Sequence, residues 1–137
     1  MKQFCGLFLG ILLAISLGNC GTERPIYELG ELQGHWRRVR SNNLDADSML
    51  LQIEGNSAVI LYAPPNSNYS NNELKWTSIA PVISPRDFTL SDKSVDGTRW
   101  AADLFVEQFD GDSIQEFTLK SSKFLAAPGG EQTWVRE

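Results

Sequence analysis

The sequence predicts an all-β fold, an antiparallel up-and-down barrel of about eight or nine short strands. Three observations carry this expectation. After residue 20 no window sustains apolar spacing at the helical period with caps, whereas apolar–polar alternation recurs along the chain. The pairs Gly55-Asn56, Asp96-Gly97 and Asp110-Gly111 punctuate the alternating runs, as hairpin turns do. Connections are short, and closing the sheet removes the unpaired edges that an open one would expose.

Each element follows in chain order. A first strand is expected over 35–40. Residues 49–53 and 58–62 then flank a Gly55-Asn56 turn of type II′. That turn pairs Ile53 with Ala58, Leu51 with Ile60 and Met49 with Tyr62, and places all of them on one face. The polar stretch 64–72 reads as a long loop, and 74–79 as the next strand. A two-residue loop at Asp96-Gly97 would set Leu90 opposite the charge of Asp103. A three-residue loop, Val95-Asp96-Gly97, instead pairs Leu90 with Ala102 and Phe88 with Leu104, with glycine in the left-handed position. Asp110-Gly111 carries the type I′ signature. It pairs Leu104 with Phe117, Ala102 with Leu119 and Trp100 with Ser121, which keeps apolar residues on one side. Strands at 124–127 and 132–136, joined across Pro128-Gly129-Gly130, complete the count.

The N-terminus has a different character. Lys2 precedes an almost wholly apolar run from Phe4 to Leu17, followed by Leu17-Gly18-Asn19-Cys20. The run is short for a membrane span, which needs about 20 apolar residues, and has the form of a signal peptide. It resembles the signal peptide and lipobox of bacterial lipoproteins, in which the cysteine is acylated and becomes the mature N-terminus. The resemblance implies a signal peptide over 1–19, a lipid anchor at Cys20 and a place in the bacterial cell envelope. Gly21 after the cysteine implies outer-membrane sorting. Residues 20–31, polar with Pro25 and Gly30, read as a tether with a flexible reach of about 18 Å. The domain then runs over 32–137.

Composition narrows the function classes. Removing residues 1–19 leaves 118 residues, enough for one domain. Cys5 leaves with the signal, so Cys20 is the only mature cysteine and no internal disulfide can form. The mature balance is 11 Lys and Arg against 17 Asp and Glu, and the one basic run is Arg37-Arg38-Val39-Arg40. This argues against nucleic acid and against a polybasic membrane contact. A strand puts Arg38 and Arg40 on one face, read here as solvated.

The domain opens with Leu32-Gln33-Gly34-His35-Trp36 and closes with Trp134-Val135-Arg136. This looks like the lipocalin-like proteins of the calycin group, where Gly-x-Trp lies on the first strand and an aromatic-x-Arg ends the last. The resemblance implies that Trp36 plugs the closed end of the barrel, that Gly34 leaves room at the strand start and that Arg136 packs across the ring. The chain departs from full lipocalins in its shorter length, its lack of a C-terminal helix and its lack of a Thr-Asp-Tyr loop motif.

No chemistry-bearing constellation stands out. His35 is the only histidine and points away from Trp36 by alternation. No His/Cys set can hold zinc, and no glycine-rich phosphate loop or nucleophile elbow is present. Asp103, Glu107, Asp110, Asp112 and Glu116 fall on one hairpin and read as its wet face. The expectation is a non-enzyme with no cofactor and no metal. Tyr62, Trp76, Trp100 and Leu104 are expected inside the barrel, as core or as the wall of an apolar pocket near the 64–72 loop. Two functions follow. One is a membrane-anchored module that binds a small apolar ligand. The other is an interaction or inhibitor module with a packed barrel, whose loops engage another envelope protein.

Overall fold

The computed structural model describes residues 24–121 and 129–137. Eight antiparallel strands close into a barrel with each strand beside its sequence neighbour. They are β1 (Gly34–Ser41), β2 (Leu50–Glu54), β3 (Ser57–Tyr62), β4 (Leu74–Pro81), β5 (Phe88–Lys93), β6 (Arg99–Asp110), β7 (Ser113–Ser121) and β8 (Glu131–Arg136). β8 returns to pair with β1, so Trp36 lies opposite Arg136 and Arg38 opposite Trp134. The strand expected at 124–127, the signal peptide and Cys20 lie outside the described residues.

The β5–β6 hairpin has the three-residue loop that alternation requires. Leu90 pairs with Ala102 and Phe88 with Leu104, and Gly97 has φ +84°. The β2–β3 turn pairs Ile53 with Ala58 and Leu51 with Ile60. Of its two central residues only Gly55 takes a positive φ, the pattern of type II′.

The β6–β7 register differs from the sequence reading by two residues. Leu104 faces Leu119, Ala102 faces Ser121 and Val106 faces Phe117. The loop is Gly111-Asp112, between the paired Asp110 and Ser113, and Gly111 takes the positive φ at its first position. Glycine thus leads the turn instead of following Asp110. A slip of two preserves the alternation, so the inward residues stay inward.

Three β-bulges account for the faces that the sequence reading misassigns. Leu51 pairs with Ile60, but Leu50 pairs with Tyr62, so Leu61 is an extra residue. Tyr62 thereby turns outward and is 44% exposed. Ala58 pairs with Trp76 and Val59 with Leu74, so Lys75 is the extra residue and Leu74 turns outward. Arg38 pairs with Trp134 and Arg40 with Thr133, so Val39 is extra. Arg38 shares the inward face with Trp36 and is buried, while Arg40 is exposed. The two arginines therefore do not share a solvated face. An inserted residue reverses the alternation beyond it.

The lower half of the barrel is filled by aromatic side chains. The Trp36 and Phe117 rings lie 4.5 Å apart, Trp76 and Phe117 5.8 Å, and Trp76 meets Trp134 edge-on at 5.1 Å. Such tilted and edge-to-face geometries suit the ring quadrupoles. The Arg136 guanidinium carbon lies 4.5 Å from the centre of the Trp36 ring. Its three nitrogens donate to the carbonyls of Ile114 (2.6 Å), Gln33 (2.6 Å) and Glu31 (2.5 Å). A Cβ on Gly34, whose φ is +118°, would lie 3.0 Å from Arg136 Nη1. A side chain there would be strained by the backbone conformation and would crowd the guanidinium.

The segment before β1 is packed from its first described residues, which shortens the tether read over 20–31. Arg24 donates to Asp87 Oδ2 at 2.6 Å and to the carbonyls of Pro85 and Val106. Tyr27 is buried against Phe109, with ring centres 5.6 Å apart. The 3-10 turn Leu29–Leu32 then carries buried Leu32, whose carbonyl accepts from Trp36 Nε1 at 2.8 Å. The apolar residues at positions 27, 29 and 32 are the reason this stretch docks.

Candidate functional site

Among the described residues, the end of the barrel opposite Trp36 is open. It is bounded by the β1–β2 loop, the β3–β4 loop, the β5–β6 turn and the start of β8. A half-open cavity of about 350 Å³ lies in this mouth, lined by Tyr69, Val95 and Trp100 together with Asp92, Ser121 and Gln132. The strands supply its floor through one continuous rung. Trp76 pairs with Asp92, and Asp92 pairs with Trp100. Ser121 sits beside them, opposite Ala102.

A buried polar network forms the floor. Lys75, 1% exposed, donates through its ammonium to Asp92 Oδ1 and to the Lys93 carbonyl. The other Asp92 oxygen accepts from Gln132 Nε2 at 3.1 Å, and Gln132 Oε1 accepts from Trp134 Nε1 at 3.2 Å. Gln132 Nε2 also donates to the Gly129 carbonyl at 2.7 Å. The chain of donors therefore fixes the orientation of the amide. Burial pushes the Lys75 pKa down, and Asp92 beside it pushes back. Ionised, the pair is neutral overall, so the floor offers dipoles and not a net charge.

Two loops are tied down beside this floor. Tyr69, from the 64–72 loop, donates its hydroxyl to the Lys93 carbonyl at 3.1 Å, with the Lys75 ammonium 4.7 Å from its ring centre. Burial raises the Tyr69 pKa, so it stays a neutral donor. Buried Arg38 donates to Asp47 Oδ1 at 3.2 Å and to the Asn43 carbonyl at 2.6 Å. This holds the β1–β2 loop at the mouth.

One polar atom in the wall is unsatisfied. Ser121 Oγ is buried and has no hydrogen-bond partner among the described residues. Leaving such a group unpaired costs about 1–3 kcal/mol, and the cavity beside it has room for a partner. Trp76 Nε1 also has no partner among the described residues, but it lies within the aromatic core.

The residues singled out by sequence are divided by the structure. Trp100 lines the cavity. Trp76 and Leu104 are fully buried core, and Tyr62 lies on the outer face. Trp36, Gly34 and Arg136 meet at the closed end, away from the mouth. His35 is exposed on β1. Asp103 bonds Arg86 at 3.0 Å on the outer face of β6, and no group of three metal-ligating side chains occurs among the described residues.

Sequence reasoning missed Lys75, Arg38, Asp92, Gln132, Tyr69 and Ser121. Alternation offered Arg38 from Trp36, and Asp92 from Phe88 and Leu90. It offered nothing for Lys75, whose burial comes from the bulge. No protein-family model, curated protein or solved structure matches the chain.

Proposed function

We propose that this chain is a membrane-anchored, lipocalin-like lipoprotein of the bacterial envelope that holds a small molecule in the mouth of its barrel. The observation that carries the reading is the cavity of about 350 Å³ at the open end. Its size falls at the lower end of the range for small-molecule sites, about 300–1,000 Å³. An aromatic and aliphatic wall of Tyr69, Trp100 and Val95 faces a polar floor. The ligand this favours is not wholly apolar. It is a compact, uncharged molecule with a flat or aliphatic body and one hydrogen-bonding group directed at Ser121 Oγ. The reading assigns no catalysis, cofactor or metal, and the lipocalin-like resemblance supports it only at the level of the barrel.

A second reading is favoured by the rim. Leu44 and Val95 are exposed on loops at the mouth, and they would suit an interaction or inhibitor module that engages another envelope protein. Native mass spectrometry of the full chain, purified from its own host in detergent, separates the two. The first reading expects a bound small mass that is lost in Trp100→Ala and in Ser121→Val. A chain that carries no small mass but retains a second protein supports the other.

A further inference from the structure

Exposed apolar side chains occur at both ends of the barrel. Leu44, Tyr62, Leu74 and Val95 lie toward the mouth, while Ile26, Ile83 and Phe109 lie toward the closed end. Side-chain exposure alone does not say which end meets a membrane. The attachment of the N-terminal segment does. Arg24 is bonded to Pro85, Asp87 and Val106, and Tyr27 stacks on Phe109. These partners belong to the β4–β5 loop, the start of β5 and the end of β6, all at the closed end.

Chain length then sets a limit. Four peptide units separate Cys20 from Arg24, and even fully extended they span at most about 14 Å. A strand such as β7, Ser113–Ser121, runs the height of the barrel. At about 3.3 Å per residue and a tilt near 40°, that height is about 20 Å. An anchor at Cys20 is thus leashed to the closed half and lies on the wrong side of the barrel to draw the mouth down to lipid.

The apolar side chains at that end fit this placement. Ile26 is 68% exposed and Ile83 76% exposed. Ile26 lies two residues from Arg24, and Ile83 two residues from Pro85, which Arg24 contacts. Single exposed apolar residues are ordinary, but these sit where the leash ends. Glu107, Asp110 and Asp112 flank Phe109 on the same rim, which disfavours an anionic lipid surface.

We infer that the closed end, through Ile26, Ile83 and Phe109, rests on a zwitterionic bilayer surface while the cavity mouth opens to the aqueous compartment. The inference rests on the reading of Cys20 as acylated. It adds that a ligand reaches the cavity from solution and not directly out of the anchoring leaflet.

The test uses the full-length lipoprotein, its acyl mass verified, in phosphatidylcholine vesicles doped with nitroxide-labelled lipid. Ile26→Cys, Ile83→Cys and Val95→Cys each receive a fluorescent thiol label. These positions are exposed, so the labels leave the core intact. The expected result is loss of emission at positions 26 and 83, with none at 95. Loss at 95 equal to that at 83, or no loss at either end in an acylated chain, overturns the inference and leaves the anchor standing. A mature protein without acyl mass overturns the anchor, and the inference with it.

Discussion

Asp92 is the residue on which the mouth of the barrel depends most. Its two oxygens are divided between the Lys75 ammonium and the Gln132 amide. Asp92→Asn keeps the shape but removes the charge. One oxygen can still accept from Lys75. The new amide then faces Gln132 Nε2, donor against donor, and Gln132 cannot turn over without losing Trp134 Nε1 and the Gly129 carbonyl. Lys75 keeps the Lys93 carbonyl and the Tyr69 ring, but no counter-charge. Breaking a buried pair by removing one partner costs about 3–5 kcal/mol, a large part of the 5–15 kcal/mol that holds a domain of this kind together.

Equilibrium urea unfolding followed by tryptophan emission measures this as a lower midpoint at unchanged slope. Lys75→Met should cost a similar amount. The double variant Lys75→Met/Asp92→Leu should return to within about 2 kcal/mol of the parent, because an apolar pair of similar volume replaces a buried ion pair at little net cost. The pH dependence has a definite sign. Burial lowers the folded-state pKa of Lys75, and Asp92 raises it part of the way back. Where the folded pKa of a lysine lies below the unfolded one, the unfolded chain holds the extra proton, and stability rises with pH across that interval. Asp92→Asn widens the interval, so the variant should regain stability as pH climbs toward the ordinary lysine range. A cost below about 1 kcal/mol for Asp92→Asn, or a double variant as unstable as the two singles summed, would refute the account.

Three further outcomes follow from the closed end. Trp36→Ala should cost about 3–5 kcal/mol, and a double-mutant cycle with Arg136→Met should show coupling of about 0.5–2 kcal/mol; additive losses would mean the stacked guanidinium contributes nothing. Gly34→Ala should destabilise by more than about 1 kcal/mol, from positive φ and the approach to Arg136 together, and Arg136→Met should relieve only the second part in denaturant titrations. Burial raises the Asp87 pKa and Arg24 opposes that rise, so Arg24→Met should move the Asp87 midpoint still higher by carboxyl-carbon NMR. A carboxyl raised in the folded state gives stability that is lost as pH climbs through its midpoint, so this variant should weaken as pH rises from the ordinary aspartate range to the raised midpoint and change little above it.

The barrel was legible because strand alternation has a period of two and tolerates a register error of two. Reading Asp110-Gly111 as the turn moved every β6–β7 partner, yet left Leu104, Phe117 and Leu119 on the inner face. The β5–β6 loop was legible for a stronger reason: only one loop length keeps Leu90 from facing Asp103. What the residues do not announce is a bulge. Nothing in Leu61, Lys75 or Val39 marks it as inserted, and each reverses the face of a neighbour. Tyr62 was lost to the outer surface in this way, and Lys75 gained for the inner one. The aromatic residues were visible but not divisible. Trp76 and Trp100 lie on one inward rung, on either side of Asp92, and nothing in the alternation tells that Trp76 is fully buried core while Trp100 lines the cavity.

The boundary between core and cavity is marked by charge. Below the Trp76–Asp92–Trp100 rung the interior is apolar and filled; Asp92 in that rung, with Lys75, Gln132 and Ser121 beside it, is polar. Such groups are poor filler, since each needs a partner and none collapses on its neighbours as Leu or Phe would. If stability were the only demand on this end, apolar residues would serve it as well and would close the mouth. The double variant Lys75→Met/Asp92→Leu therefore separates two properties that the parent combines. It should fold with near-parental stability and lose any small molecule that co-purifies with the parent, because the new side chains remove the polar floor. A double variant that still carries the same bound mass in native mass spectrometry would show that the floor takes no part in holding it.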